Sequence, residues 1–175
     1  TDVNLEGSFS NSGLQTYKAG ATLNSDTLLS GTTASFAQAV EGGGNNLSLN
    51  MSGLTSLTSG VENIADFSST GDVSLAGNFT TAGSQTYGGN VSLAGDTSLS
   101  GTTASLSGVS GNNNNLSLNF SGDTVSLAGN FNNISDFTAE TAISLNGGLT
   151  TTGSQSFEGA TSLTGDTTLT GPSSS

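Results

Sequence analysis

Side chains able to do acid–base, nucleophilic or metal chemistry are few in this chain, and nearly all are carboxylates. Thirteen Asp and Glu stand against one basic residue, Lys18, with no His and no Cys in 175 residues. A Ser–His–Asp or Cys–His arrangement cannot be assembled from that set. Polysaccharide lyases on β-helices commonly use Arg or Lys to stabilise charge, and Arg is absent. Paired carboxylates are the hydrolytic arrangement left open. Its candidates, Asp26, Asp96 and Asp166, are equivalent positions of a long internal repeat. Such spacing scatters them along an elongated array, so the expectation is that they form turns and that the chain is not an enzyme. The Gly-Asp pairs single out Asp72, Asp96, Asp123 and Asp166 as the only calcium candidates. Calcium wants six to eight converging oxygens, whereas these acids are single and scattered. The sequence therefore predicts no metal site and no cofactor, with loose cation screening of an acidic surface instead.

The elements that position these acids come from repetition. Residue 71 laid under residue 1 matches along the whole length: Asp2-Val3-Asn4-Leu5 falls over Asp72-Val73-Ser74-Leu75, and Gln15 and Tyr17 over Gln85 and Tyr87, then Gln155 and Phe157. Ile64-Ala65-Asp66-Phe67 falls over Ile134-Ser135-Asp136-Phe137. The chain reads as one domain, residues 1–175, with superrepeats 1–70 and 71–140 and a partial 141–175. Self-similarity of this kind marks a solenoid. Inside it, glycines at 77, 83, 89, 95 and 101 mark a six-residue rhythm. Residues two and four before each Gly point inward and those between them outward, the period of a strand with one buried face. Gly followed by a polar residue marks the corner.

Three hexads, about 18 residues, make one triangular coil of a parallel β-helix. Coil starts at 3, 21, 40, 55, 73, 91, 109, 125, 143 and 161 predict roughly ten coils and a rod on the order of 45 Å. In that reading Val3, Ala21, Val40, Thr55, Val73, Val91, Val109, Val125, Ile143 and Thr161 form one inward column. Ser74, Ser92, Ser110, Ser126 and Ser144 form one outward column. The coils at 40 and 109 are irregular. Their Asn-rich stretches, with Asn112 to Asn115 the extreme, read as widened corners that use the tolerance of Asn for left-handed backbone.

Gly83-Ser84-Gln85-Thr86-Tyr87 followed by Val91-Ser92-Leu93-Ala94-Gly95-Asp96-Thr97 resembles repeats of filamentous-haemagglutinin-like bacterial adhesins exported by two-partner secretion. The resemblance runs through the whole chain. It implies a right-handed β-helical shaft that holds an adhesive tip away from the cell, and it carries no catalytic residues. The strict hexad is also similar to left-handed hexapeptide β-helices of acyltransferases. Those usually need a catalytic His, and inward Phe79, Tyr87, Phe131 and Phe137 favour the wider right-handed core.

Composition sets the remaining expectations. A net charge of −12 leaves nothing to neutralise phosphates, which argues against nucleic acid and against anionic membrane surfaces. Acidity without cysteine fits an exported bacterial protein. No apolar run approaches the ~20 residues of a membrane helix. The chain opens and closes inside repeats, as a segment of a longer array would. The expected role is a structural rod of an extracellular adhesin or surface filament, secreted or at the cell surface, with host or matrix glycans as possible partners. End-to-end stacking into a fibre is the alternative, because uncapped coils present open strand edges. A carbohydrate-binding or polysaccharide-degrading β-helix is a further one. Ice binding through Thr80-Thr81, Thr102-Thr103 and Thr151-Thr152 would need the same outward residue on every coil, which the sequence does not supply.

Overall fold

The computed structural model describes residues 2–172. Nineteen strands, from Val3–Tyr17 to Thr168–Thr170, join one sheet in which every pairing is to the turn before or after and is parallel. The sheet winds into a β-solenoid of about nine turns, about 19 residues each, with no helix among the described residues. At the ~4.8 Å spacing of paired strands, eight layer steps make a rod about 40 Å long. Each turn has three sides. The first passes through Val3 and Leu5 on side one, Gly7 and Phe9 on side two, and Gln15 and Tyr17 on side three; Ala21 then lies over Val3.

Turn count and register correct the strict hexad reading. Val40 stacks on Val61, not on Thr55, and Val109 stacks on Phe131, not on Val125. The supposed single column is therefore three pieces on three sides. Val3, Ala21 and Val40 continue through Val61 and Phe79 on side one. Thr55, Val73, Val91 and Val109 lie on side three, above Gln15 and Ala34. Val125, Ile143 and Thr161 lie on side two. The outward serines divide likewise. Ser74, Ser92 and Ser110 follow Ser35 and Ser56 on side three, while Ser126 and Ser144 lie between Ser105 and Ser162 on side two. Four turns from Val3 lead to Phe79, and Val73 stands one side earlier. A superrepeat is thus four turns less one side, so equivalent residues of successive repeats face directions one side apart.

The extra length sits where the Asn-rich corners are. Asn112 and Asn113 take left-handed backbone (φ 51° and 62°), as expected. Their counterparts in the first repeat are Gly43 and Gly44 (φ 58° and 81°), so Gly-Gly and Asn-Asn make the same corner. Gly111 on the inner face is required for a different reason. A Cβ there would stand 2.5 Å from Ile134 Cα and from the Asn133 carbonyl oxygen, and one at Gly42 would stand 2.5 Å from the Asn63 carbonyl oxygen.

Along the axis the inward side chains form one continuous core. Phe36, Phe67, Phe79, Phe131 and Phe137 are buried in it, with Leu ladders such as Leu57, Leu75 and Leu93. Burial of each such side chain contributes roughly 1.5–3 kcal/mol. A few inward residues per turn suffice because every layer covers the next, which is how a chain with 31% hydrophobic residues holds a core. Threonines complete some inward positions. Thr81 and Thr151 return their hydroxyls to the backbone carbonyls of Gly83 and Gly153 at 3.0 and 2.9 Å. The buried Thr55 hydroxyl has no partner. Of the Thr pairs, Thr81 and Thr151 point inward, so no flat threonine array forms.

Candidate functional site

The acids singled out by the sequence do not converge. Asp26 stands at the corner between sides one and two, Asp96 between sides three and one, and Asp166 between sides two and three. They therefore differ in direction as well as in layer. Asp72 accepts the Asn90 N–H at 2.8 Å, and Asp96 the Asn115 N–H at 2.9 Å. Asp123 and Asp166 are exposed on separate turns. Among the described residues no three His, Cys, Asp or Glu side chains gather where a metal could sit.

What the corners build instead is a ladder that joins layers. Asp26 accepts from the Asn46 N–H at 2.9 Å and from Asn46 Nδ2 at 3.1 Å. Asn46 Oδ1 accepts the Asp66 N–H at 3.0 Å. Asp66 Oδ1 accepts both the N–H and the hydroxyl of Ser84, at 2.6 and 2.8 Å. The second repeat builds the same chain. Asp96 accepts the Asn115 N–H, Asn115 Oδ1 accepts the Asp136 N–H at 3.0 Å, and Asp136 Oδ1 accepts the N–H and hydroxyl of Ser154 at 2.6 and 2.8 Å. Two hydrogen bonds to the ionised form hold the Asp66 and Asp136 carboxyls below the usual range; in each the backbone N–H is the larger cause.

A buried polar device joins the layers that the ladders leave out. Gln85, 1% exposed, donates to the carbonyls of Ser100 at 2.9 Å and Phe79 at 3.0 Å, and its Oε1 accepts the Tyr87 hydroxyl at 2.8 Å. Gln15 and Tyr17 repeat the arrangement, with Gln15 donating to Ser30 at 2.8 Å. Gln155 donates to Thr170 at 2.8 Å, while Phe157 supplies no hydroxyl. Burial pushes the Tyr87 phenol far above its usual range, so it stays neutral. Gln15 ties turn one to turn two, and the first ladder ties turns two to five. Gln85 ties five to six, and the second ladder ties six to nine.

Two open grooves flank the ladders. One, about 310 Å³, is lined by Asn78, Asp96, Ser98, Asn115, Asp136 and Thr138. The other, about 260 Å³, is lined by Ser8, Asp26, Leu28, Asn46 and Ser48, the first-repeat counterparts. Their carboxylates and amides are largely taken up in layer-to-layer bonds.

Asp66, Asp136, Asn46 and Asn115 are the layer-joining side chains that sequence reasoning missed. The signal was present in the repeated Ile-x-Asp-Phe motif. The partners of its Asp stand at uneven steps along the chain, Ser84 and Ser154 after it and Asn46 and Asn115 before it, so no fixed period picks them out. No family model, no curated protein and no solved structure matches this chain.

Proposed function

We propose that this solenoid is a stiff shaft segment of an extracellular bacterial adhesin or surface filament, secreted to the cell surface, with a mechanical and not a catalytic role. The observation that carries the reading is the unbroken stack. Every layer step has its own side-chain tie, the core is continuous from Leu5 to Leu149, and carboxylates at the corners are spent on holding turns together. The resemblance of the Gln-x-Tyr and Val-Ser-Leu-Ala-Gly repeats to filamentous-haemagglutinin-like shafts supplies the extracellular setting. Surface labelling of intact producing cells with an antibody to the rod tests it: staining of unpermeabilised cells is expected, and staining only after permeabilisation would contradict it.

A second reading rests on the ends. Phe9, Leu163 and Leu169 belong to core columns yet are 37%, 59% and 48% exposed on the terminal turns. A further turn would cover them, whether from the same polypeptide or from a second copy stacked end to end. Electron microscopy of the purified chain separates the two: short single rods favour the first, continuous fibres the second. Glycan partners belong to the same proposal, with the paired grooves as the polar surface on offer. Binding of neutral glycans on an array would support it, and a blank array would remove it.

A further inference from the structure

The hydrophobic pattern alone allows two stackings of this chain. One makes each superrepeat into four turns, with Val40 over Thr55 and Val109 over Val125. The other makes it into four turns less one side, with Val40 over Val61 and Val109 over Phe131, as observed. Both place Val, Ile, Thr or Phe over a residue of the same kind, and a change of register turns each side of the rod to a new direction without exposing the core. We propose that the corner ladders choose between them, with Asn46 and Asn115 as the register-determining residues.

The placement supports this. Each Asn lies in the long turn where the two stackings part, 20 and 19 residues after Asp26 and Asp96. Each does two things at once: its N–H reaches back to the Asp of the preceding layer, and its Oδ1 receives the N–H of the Asp in the following layer. In the compressed stacking the loss of one side moves Asp66 and Asp136 off that line. The Asp66 and Asp136 N–H groups then lose their Asn46 and Asn115 acceptors, while the Asp66–Ser84 and Asp136–Ser154 bonds join layers that stack alike in both registers. The outward serines on sides two and three pair equally well in either register and carry no such information.

The chain has no cysteine, so engineered disulfides report register directly. Cα atoms of laterally paired residues on adjacent parallel strands fall in the range a disulfide spans. Ser110→Cys with Asn132→Cys reports the observed stacking, since these two are partners across the layers. Ser110→Cys with Ser126→Cys reports the compressed one; in the observed fold the two lie on different sides. In the otherwise unchanged chain the first pair should oxidise within the monomer and the second should not. In Asp96→Ala/Asn115→Ala the second pair should rise about tenfold, in line with the loss of the one bond, Asn115 Oδ1 to the Asp136 N–H, that only the observed stacking makes. Thr102→Val, which removes a hydroxyl bonded to the Ala82 carbonyl between layers that stack alike in both registers, should leave both unchanged. The proposal is overturned if the ladder variant keeps only the first pair. It is overturned equally if the variant loses its β signal with neither pair formed, for Asn115 would then hold the fold without selecting its register. Asn115→Ala alone removes that same bond and should raise the second pair to a similar yield.

Discussion

Ladder and lock join layers by opposite means. At Asp66 and Asp136 the tie is a wet carboxylate that accepts N–H and hydroxyl from the next turn. At Gln85 it is a dry carboxamide, closed on one side by the Tyr87 hydroxyl and on the other by two carbonyls. A wet tie can exchange its partner for water, so its loss costs little. A dry tie cannot, so its loss leaves several buried groups without partners. The rod thus has one expensive joint per repeat and three cheap ones. In a sequence this repetitive, cheap directional ties add specificity where apolar ladders supply only adhesion.

The largest effect should come from breaking the lock. Gln85→Ala opens a cavity and strands the Tyr87 hydroxyl, the Phe79 carbonyl and the Ser100 carbonyl, and should cost about 3–5 kcal/mol in denaturant unfolding. Asp66→Ala, on the ladder, should cost about 1 kcal/mol in the same experiment. Equal losses would abolish the distinction drawn between the two ties. A gain should come from Thr55→Val. The orphaned hydroxyl lies in a column with Val73 and Val91, so the change should stabilise the rod by about 1 kcal/mol, seen as a higher denaturation midpoint with unchanged slope.

The smallest effects should separate by pH. Asp66 and Asp136 have folded pKa values below the ordinary 3.8, so their contribution is present above pH 3.8 and is lost as pH falls below it. Asp66→Asn/Asp136→Asn should flatten the acid limb of the stability profile and leave the alkaline limb alone. Tyr87 is raised above 10.0, so its contribution is present below pH 10.0 and is lost as pH climbs beyond it. Tyr87→Phe, the residue type found at 157, should flatten the alkaline limb only. A profile in which both variants act on the same limb would contradict the assignment of ladder and lock.

Much of the architecture was legible before any coordinates. Alternation within each hexad placed Val73, Leu75, Phe79, Gln85 and Tyr87 inward, and all five are buried. The repeated Asn runs marked widened corners, and Asn112 and Asn113 adopt the backbone expected there. Register was not legible. Val-Ser-Leu-Ala-Gly at 73, 91 and 125 looks alike on every side, and hydrophobic periodicity says only that a residue points inward, not which layer lies beneath it. The ladders were hidden for a related reason: Asp and Asn in turns have local uses, and only the layer spacing turns Asp26, Asn46 and Asp66 into a chain of bonds. That Asp26, Asp96 and Asp166 do not converge follows from the same geometry, since a repeat that rotates by one side sends equivalent acids to different corners.

The claim on which the account stands is that successive repeats are offset by one side around the axis. Methyl nuclear Overhauser contacts in a sample labelled at Val, Leu and Thr, with protonated Phe, read this directly. Contacts of Val40 with Val61, Val61 with Phe79, and Val109 with Phe131 are expected. Contacts of Val40 with Thr55 and of Val109 with Val125 in their place would contradict it.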